Sequence, residues 1–329
     1  MTKNVSKISH LELVVPPLSS QEAFKLKDDH RAERQMRESD FYMIAGKAAY
    51  RFQLDPGSID VKRGIVSLAI MSGDAEMDRG TLTLGDLPFC SDRGVSDFRF
   101  AFTEEQIFLI DGDSVPESER LVNSFTPEGL LWARSRNVSG ITGFDRFQQL
   151  SAYDLLYAGI AKVGDSYDRL IAKGHEARMN ILSNEPQRAA GARVADEIFL
   201  FLFRVQPLFL TVFSSDHGFM DDDDLDPSVE RKRIVADAEK AFVHLLQPQY
   251  NTVKFKNYPK GTDGLVGSGL ARYGYTLAEA LTFHTPMGRF RGGRHPVVGF
   301  VTNYADLIFI EGNHVDLTRS GIDFPEEDR

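Results

Sequence analysis

The pattern of secondary-structure signals changes twice along the 329 residues, and these changes constrain the fold more than any other feature of the sequence. Residues 41–137 contain short β-forming runs separated by Gly and Asp turns, which is typical of a mostly-β domain. After Ser139 come strand-like runs and two long helices, and from Thr252 onward Gly and short strands return. The sequence therefore predicts an α+β protein in three parts: residues 1–139, 140–252 and 253–329.

Local patterns predict the individual elements. Residues 19–38 are charged and free of Gly and Pro, which favours a leading surface helix. A Phe-rich stretch in the middle part predicts a pair of strands. Further strands are predicted at residues 64–70, 80–84, 97–102 and 106–110 in the first part, and at 297–302 and 306–310 in the last.

Composition excludes several classes of protein. Cys90 is the only cysteine, so the chain has no internal disulfide and no multi-cysteine metal site, which fits a reducing cytoplasm. Residues 1–20 lack the basic start and apolar core of a signal peptide. The most apolar stretch, residues 198–213, is too short to span a bilayer. We therefore expect a cytoplasmic protein without membrane contact.

The net charge of −10 counts against a protein whose whole surface follows nucleic-acid phosphates. Basic residues nevertheless cluster beyond the middle of the chain and leave room for a local basic groove. Within them, residues 289–295 interleave three arginines with an aromatic residue and Gly, which suits a phosphate backbone or a stacked base. A solvated basic turn is an equally good interpretation of that segment.

Two helices are predicted in the middle part. The first begins near Ser166, with Asp168 in its first turn, and runs to about Leu182. The second has Asp226 as N-cap, Pro227 at its first position and an end before Pro248.

The second predicted helix carries a carboxylate among apolar residues. Val235, Glu239, Phe242 and Leu246 follow helical spacing, so they form one stripe. A carboxylate in such a stripe is costly unless it is paired or bound to a metal. The alternative is a slightly rotated helix that leaves Glu239 in solvent.

An ordered set of motifs, and not any one of them, indicates a family. The set is Tyr157-Ala158-Gly159-Ile160, then Arg169, then Glu239, then a Pro248-Gln249-Tyr250-Asn251 segment. This order resembles the GIY-YIG endonucleases over about a third of the chain. The resemblance maps the second signature tyrosine to Tyr157, the helix arginine to Arg169, the metal-binding glutamate to Glu239 and the closing asparagine to Asn251.

The first signature tripeptide departs from the family, because it is expected at Gly140-Ile141-Thr142 and threonine has no phenol. Tyr153 or Tyr157 could take over in a shifted alignment, Phe144 could mark the true register, or this copy could be impaired. An acidic insertion, residues 216–226, is a second departure.

The resemblance implies a metal-dependent DNA endonuclease, such as a restriction or anti-phage defence enzyme, with a GIY-YIG-like α/β module at 140–252 between two mostly-β regions. Glu239 would hold Mg²⁺ or Mn²⁺, because Mg²⁺ accepts few protein ligands and keeps several waters. Arg169 would contact phosphate, and Tyr157, with Tyr153 or His175, would orient or deprotonate the nucleophile.

The remaining expectations concern partners. The predicted nucleic-acid contacts are Arg178, Lys254, Lys256, Arg289, Arg291 and Arg294. RNA is an alternative substrate, and the β regions could bind a protein partner or a second copy. Thr142 motivates a second hypothesis, a catalytically silent module that binds nucleic acid or protein.

Overall fold

A computed structural model describes residues 6–60, 62–91, 98–112, 121–161, 164–172, 174–210, 229–261 and 263–320. The strands are β1 (Ser6–Leu13), β2 (Leu18–Ser19), β3 (Phe41–Gly46), β4 (Arg51–Asp60), β5 (Ile65–Ser72), β6 (Ala75–Thr83), β7 (Phe98–Phe102), β8 (Ile107–Asp111), β9 (Leu121–Phe125), β10 (Ile141–Gly143), β11 (Ala152–Ile160), β12 (Ile198–Leu210), β13 (Arg272–Leu277), β14 (Thr282–Thr285), β15 (Gly288–Arg291), β16 (Leu307–Glu311) and β17 (His314–Thr318). The helices are α1 (Ser20–Lys25), α2 (His30–Met36), α3 (Pro88–Ser91), α4 (Pro127–Ser135), α5 (Phe147–Leu150), α6 (Glu176–Asn184), α7 (Val194–Glu197) and α8 (Arg231–Leu246). The predicted α+β class is confirmed.

One large sheet organises the molecule. Its strand order is β15-β14-β11-β3-β12-β1-β13-β16-β17, and β2 pairs beside β12. The β1–β13 and β11–β14 pairs are parallel, whereas β11–β3, β3–β12 and β12–β1 are antiparallel. β3 and the first half of β12 are apolar without alternation, because both of their faces are covered.

Two apolar cores lie on the two faces of the large sheet. Helix α8 packs on one face, where the rings of Phe41 and Phe242 meet edge to face with centroids 5.6 Å apart. Helices α1, α2 and α6 contribute to the core on the other face, together with Tyr42 and Ile44. Side chains alternate along a strand, so neighbours on β3 such as Phe41 and Tyr42 belong to different cores.

Residues 47–151 form an insert between β3 and β11. The insert holds two small sheets, β10-β6-β5-β4 and β7-β8-β9, around a core of its own. Arg136 of the insert forms a 2.7 Å ion pair with buried Glu279, and its guanidinium lies 3.8 Å from the ring centroid of Trp132. A buried charge pair therefore ties the insert to the chain that follows β13.

The predicted three-part division crosses the large sheet. β3 comes from the first predicted part, β11 and β12 from the second and β13 from the third, yet all four lie in this sheet. Among the described residues of 140–252, every strand thus pairs into a sheet that extends beyond this range. The expected first signature, Gly140-Ile141-Thr142, lies in the insert, where β10 pairs with β6. Periodicity identifies strands, but it does not say which strands pair.

The helix predictions are confirmed in part. The leading segment is helical but divides into α1 and α2, and Asp29 caps the second of these. The predicted helix 166–182 is wrong as one element: a π-helical turn, Asp168–Ala172, is followed by Gly174 with φ +72° and then by α6. Gly readily adopts this left-handed conformation, which ends the turn.

Helix α8 ends before Pro248 as predicted, with Gln247 in the left-handed conformation. It begins at Arg231, with Glu230 as N-cap, which is later than the sequence indicates. The predicted cap Asp226, Pro227 and the acidic insertion 216–226 lie outside the described residues.

Most predicted strands are confirmed by β5, β6, β7, β8 and β16. The Phe-rich stretch forms the single strand β12 within the described residues and not a pair. The predicted strand 297–302 is wrong, because the chain turns there with Gly299 at φ +73° and makes only an isolated bridge between Arg294 and Val301. In the part of the chain that the structure describes, no helix has the length and apolar character to cross a membrane.

Candidate functional site

Two tyrosines from neighbouring strands form the centre of the site. Tyr42 lies on β3 directly opposite Gly159 of β11, and Tyr157 lies two residues before Gly159. The two phenol rings are stacked, with centroids 6.1 Å apart and planes 18° apart. A Cβ atom on Gly159 would lie 2.7 Å from Tyr157 Cε1 and 2.9 Å from Tyr42 Oη. Gly159 therefore provides the space in which the two rings lie.

Arg169 and His175 meet at the hydroxyl of Tyr42. Arg169 Nε donates to Tyr42 Oη at 2.9 Å, and His175 Nε2 lies 2.9 Å from the same oxygen. His175 is also the N-cap of α6, where its Nδ1 accepts the backbone N–H of Arg178 at 3.3 Å. A neutral imidazole whose Nδ1 accepts carries its hydrogen on Nε2. Tyr42 Oη thus accepts two hydrogen bonds, and its own hydrogen is left for Tyr157, with which it shares a hydrogen bond.

Burial and the local charges determine the protonation of this cluster. Burial, then the positive charges of Arg169 and Arg178, lower the pKa of His175 to about 4, so the ring is neutral near pH 7. Burial raises the pKa of Tyr157; the charge of Glu239 raises it further and that of Arg169 opposes both. Burial also raises the pKa of Tyr42. Both phenols therefore keep their hydrogens at neutral pH.

Glu239 reaches this cluster from α8. Its side chain is half-buried, and its charge acts on Tyr42, Tyr157 and Arg169. The predicted apolar neighbours Val235, Phe242 and Leu246 are buried. The charge of Glu239 therefore acts on two phenols and a guanidinium, and because its side chain is half-buried the fully solvated alternative does not apply.

Asn251 holds β11 in place beside Tyr157. Its side-chain oxygen accepts from Ala158 N at 3.0 Å and its amide donates to Ala158 O at 2.8 Å. The preceding residue, Tyr250, donates its backbone N–H to Leu156 O at 2.9 Å. β14 pairs only with residues 152–154 of β11, so these bonds satisfy backbone groups beyond that pairing. Asn251 is a positioning residue and does not point its amide at the tyrosine hydroxyls.

A second carboxylate, which the sequence did not single out, fixes α8. Asp237 is fully buried and accepts from Tyr258 Oη at 2.7 Å, Tyr275 Oη at 2.8 Å and Leu265 N at 2.8 Å. These bonds join α8 to β13 and to the loop after Asn251. Glu239, two residues further along α8, is thereby held in position.

Several predicted site residues lie elsewhere. Tyr153 is buried among Phe199, Phe201 and Phe283 in the core that contains α8, so it cannot replace a signature tyrosine beside Tyr157. Thr142 and the buried Phe144 belong to the insert. None of the three therefore lies beside Tyr157: the register shift between Leu155 and Tyr157 turns Tyr153 to the opposite face of β11, and Thr142 and Phe144 belong to the sheet and core of the insert.

Arg178, the first of the predicted nucleic-acid contacts, does not contact the phenols. It donates to the backbone oxygens of Leu170 and Ser20, each at 3.0 Å. Its guanidinium joins α6 to the turn before it and to the start of α1.

The predicted nucleic-acid contacts in the last part of the chain differ in exposure. Arg291 is only 5% exposed, and Arg294 donates to Glu12 at 2.8 Å, so neither presents a solvated guanidinium. Lys254 is half-buried, whereas Lys256 and Arg289 are exposed. Of these five predicted contacts, Lys256 and Arg289 thus remain the best placed for a phosphate backbone.

Tyr42 is the functional candidate that the sequence patterns did not reveal. The segment Phe41-Tyr42-Met43-Ile44-Ala45-Gly46 carries one tyrosine in an otherwise apolar run, which is a weak signal because a buried tyrosine is common in a core. The insert also separates Tyr42 from Tyr157 along the chain. Comparison of the chain with protein-family models, with characterised proteins and with solved structures gives no match.

Proposed function

We propose that this protein is a metal-dependent endonuclease of the GIY-YIG type that hydrolyses DNA phosphodiester bonds, with Tyr42 as its first signature tyrosine. One observation carries the proposal: Tyr42, Tyr157, Arg169 and His175 converge at a single point, and Glu239 lies within electrostatic reach of them. Tyr157, Arg169 and Glu239 stand at positions that the motif order singled out, and His175 was predicted as a possible assisting base.

The roles of the side chains follow from their contacts. Arg169 is exposed, so its guanidinium can offset charge on the oxygens of a bound phosphodiester while Nε stays on Tyr42. Tyr157 keeps its hydrogen and can donate to a nucleophilic water or to a phosphate oxygen, and Tyr42 orients it through the hydrogen bond between the two phenols. His175 has both ring nitrogens engaged, so it orients Tyr42 and does not act directly as the base.

Glu239 fits a one-carboxylate magnesium site. The described residues contain no cluster of three or more His, Cys, Asp or Glu side chains suited to a metal ion. Mg²⁺ does not need such a cluster, because it takes one or two carboxylates and completes its shell with water and substrate phosphate. When bound, Mg²⁺ or Mn²⁺ would supply positive charge at the phosphate oxygens.

The insert is the part of the proposed nuclease that could recognise a target or regulate cleavage. Residues 47–151 have their own core and are available for target recognition or for regulation, as in a restriction or defence enzyme. The hypothesis of a silent module rests on the missing phenol at Thr142. Tyr42 supplies a second phenol beside Tyr157, so Thr142 no longer argues for a silent module.

Matched phenol deletions test the proposal. Tyr42→Phe should lower the rate of plasmid cleavage in Mg²⁺ or Mn²⁺ by about 10²-fold or more, since a group that orients or activates the nucleophile typically contributes 10²–10⁴-fold. Tyr153→Phe removes the same atom from the opposite core and should leave the rate within a fewfold of wild type. Glu239→Gln should abolish cleavage. The proposal is wrong if Tyr42→Phe cuts as wild type does, or if Tyr153→Phe is the variant that fails.

A further inference from the structure

A basic pocket opens between α8 and residues 252–261. It has a volume of about 490 Å³ and is lined by Lys240, Lys254, Lys256 and Lys260 with a single carboxylate, Asp263. The whole protein carries a net charge of −10, so this concentration of lysines reverses the charge locally. Such a reversal identifies an anion as the complementary ligand.

The four lysines divide into two that are anchored and two that face solvent. Lys240 pairs with Asp263, and Lys254 donates to the carbonyl oxygens of Gln247 and Pro248 just beyond the end of α8. Lys256 and Lys260 are exposed. Asp263 offsets the charge of Lys240, so Lys254 is the anchored lysine that adds net positive charge to the pocket, and the exposed Lys256 and Lys260 can reach a ligand.

The pocket is attached to two of the elements that carry the candidate site, α8 and β11. Lys240 directly follows Glu239 on α8. Tyr258 and Leu265 bind Asp237 of the same helix, and Asn251, just before the loop, binds Ala158 of β11. A ligand in the pocket would therefore lie in a fixed relation to Tyr157 and Glu239.

We propose that this pocket binds backbone phosphates of duplex DNA next to the bond to be cut, through Lys256 and Lys260. This inference rests on the proposed nuclease function. The volume of about 490 Å³ leaves room for a stretch of polymer, since a water molecule occupies only about 30 Å³. Val253 and Phe255 add apolar wall between the lysines, which suits the sugars between successive phosphates.

Salt dependence of binding tests the contact without cleavage. In a Glu239→Gln parent, the affinity for a fluorescent duplex is measured by anisotropy at several salt concentrations. Replacing Lys256 and Lys260 by Gln should weaken binding by about tenfold at low salt. It should also reduce the slope of log affinity against log salt by about 2, since each phosphate contact contributes about 0.9. Lys27→Gln with Lys62→Gln removes the same charge from exposed positions outside the pocket and should change the slope little.

Lysine acetylation, read by mass spectrometry, locates the contact directly. The duplex should protect Lys256 and Lys260 from acetylation and leave Lys27 and Lys62 reactive. Two results would overturn the pocket proposal and leave the nuclease proposal standing, provided that the parent binds DNA. In the first, Lys27, Lys62, Lys256 and Lys260 stay equally reactive when DNA is bound. In the second, the two double variants show the same reduction in the salt slope. Protection by inorganic phosphate as strong as that by DNA would make this a small-anion site and also overturn it. No binding of DNA by the parent would overturn the nuclease proposal together with this one.

Discussion

The Gly159→Ala substitution tests whether cleavage depends on the positions of the Tyr42 and Tyr157 rings. The added Cβ would stand 2.7 Å from Tyr157 Cε1 and 2.9 Å from Tyr42 Oη. An ordinary contact between carbon atoms is about 3.5 Å or longer, so the Tyr157 ring must retreat by about 0.8 Å. Gly159 does not have a positive φ, so Ala fits the backbone and the perturbation is confined to the rings.

The expected losses in activity and in stability differ in size. A displacement of about 1 Å in a catalytic group can lower the rate by about 10²-fold. Overpacking typically costs about 1–3 kcal/mol, and Ala recovers about 0.5–1 kcal/mol relative to Gly in a strand. Tyr157 is half-buried and can move, so the net loss in the free energy of unfolding should be about 1 kcal/mol.

Cleavage rate and urea unfolding, measured on the same preparation, separate these effects. Gly57→Ala on β4 is the matched control, because a Cβ there meets no atom within 4 Å. The control should cut at the wild-type rate. If Gly159→Ala also cuts at that rate while folded, the positions of the rings do not matter and the roles given to Tyr42 and Tyr157 are wrong.

Three further substitutions probe the supports of the site. Asn251→Ala leaves the N–H and C=O of Ala158 without their partner, so the free energy of unfolding should fall by about 2–4 kcal/mol in urea titrations; an unchanged midpoint would contradict this. Asp237→Asn keeps the shape but replaces one acceptor oxygen by a donor, and should lower the thermal midpoint more than an exposed Asp→Asn control such as Asp74→Asn. The pKa of His175 is about 4 in the folded protein and about 6.5 in the unfolded chain. As the pH falls, the unfolded chain therefore binds the proton at a higher pH than the folded protein does. The free energy of unfolding should fall between about pH 6.5 and pH 4. His175→Gln should lack this part of the pH dependence, and identical stability profiles for the two proteins above pH 5 would refute the shift.

Local chemistry was enough to predict the elements that depend on neighbouring residues. The end of α8 before Pro248 follows from the missing N–H of proline, and the buried stripe with Glu239 follows from helical spacing. The break in the first predicted helix at Gly174 was missed, because one Gly inside a helical pattern is often tolerated.

The pairing of strands was not predictable in this way. Tyr42 meets Tyr157 because β3 lies beside β11, and nothing in the sequence between them indicates that partnership. Tyr153 has the same residue type as Tyr157 and lies close to it in sequence, yet it belongs to another core. Which tyrosine joins the site is decided by pairing and by the register shift between Leu155 and Tyr157, both of which are properties of the folded sheet.

The insert has a consequence for how the site can change during evolution. Gly46 at the end of β3 pairs with Asp154 near the start of β11, so the two ends of residues 47–151 meet in space. Closing an unfolded loop of that length would cost a few kcal/mol more than closing a hairpin, since each doubling of length adds about 0.6 kcal/mol. A folded insert with adjacent ends removes most of that cost. A compact domain whose termini lie equally close, and which also supplies a cation for buried Glu279, could therefore be exchanged at this position while the tyrosine pair stays the same.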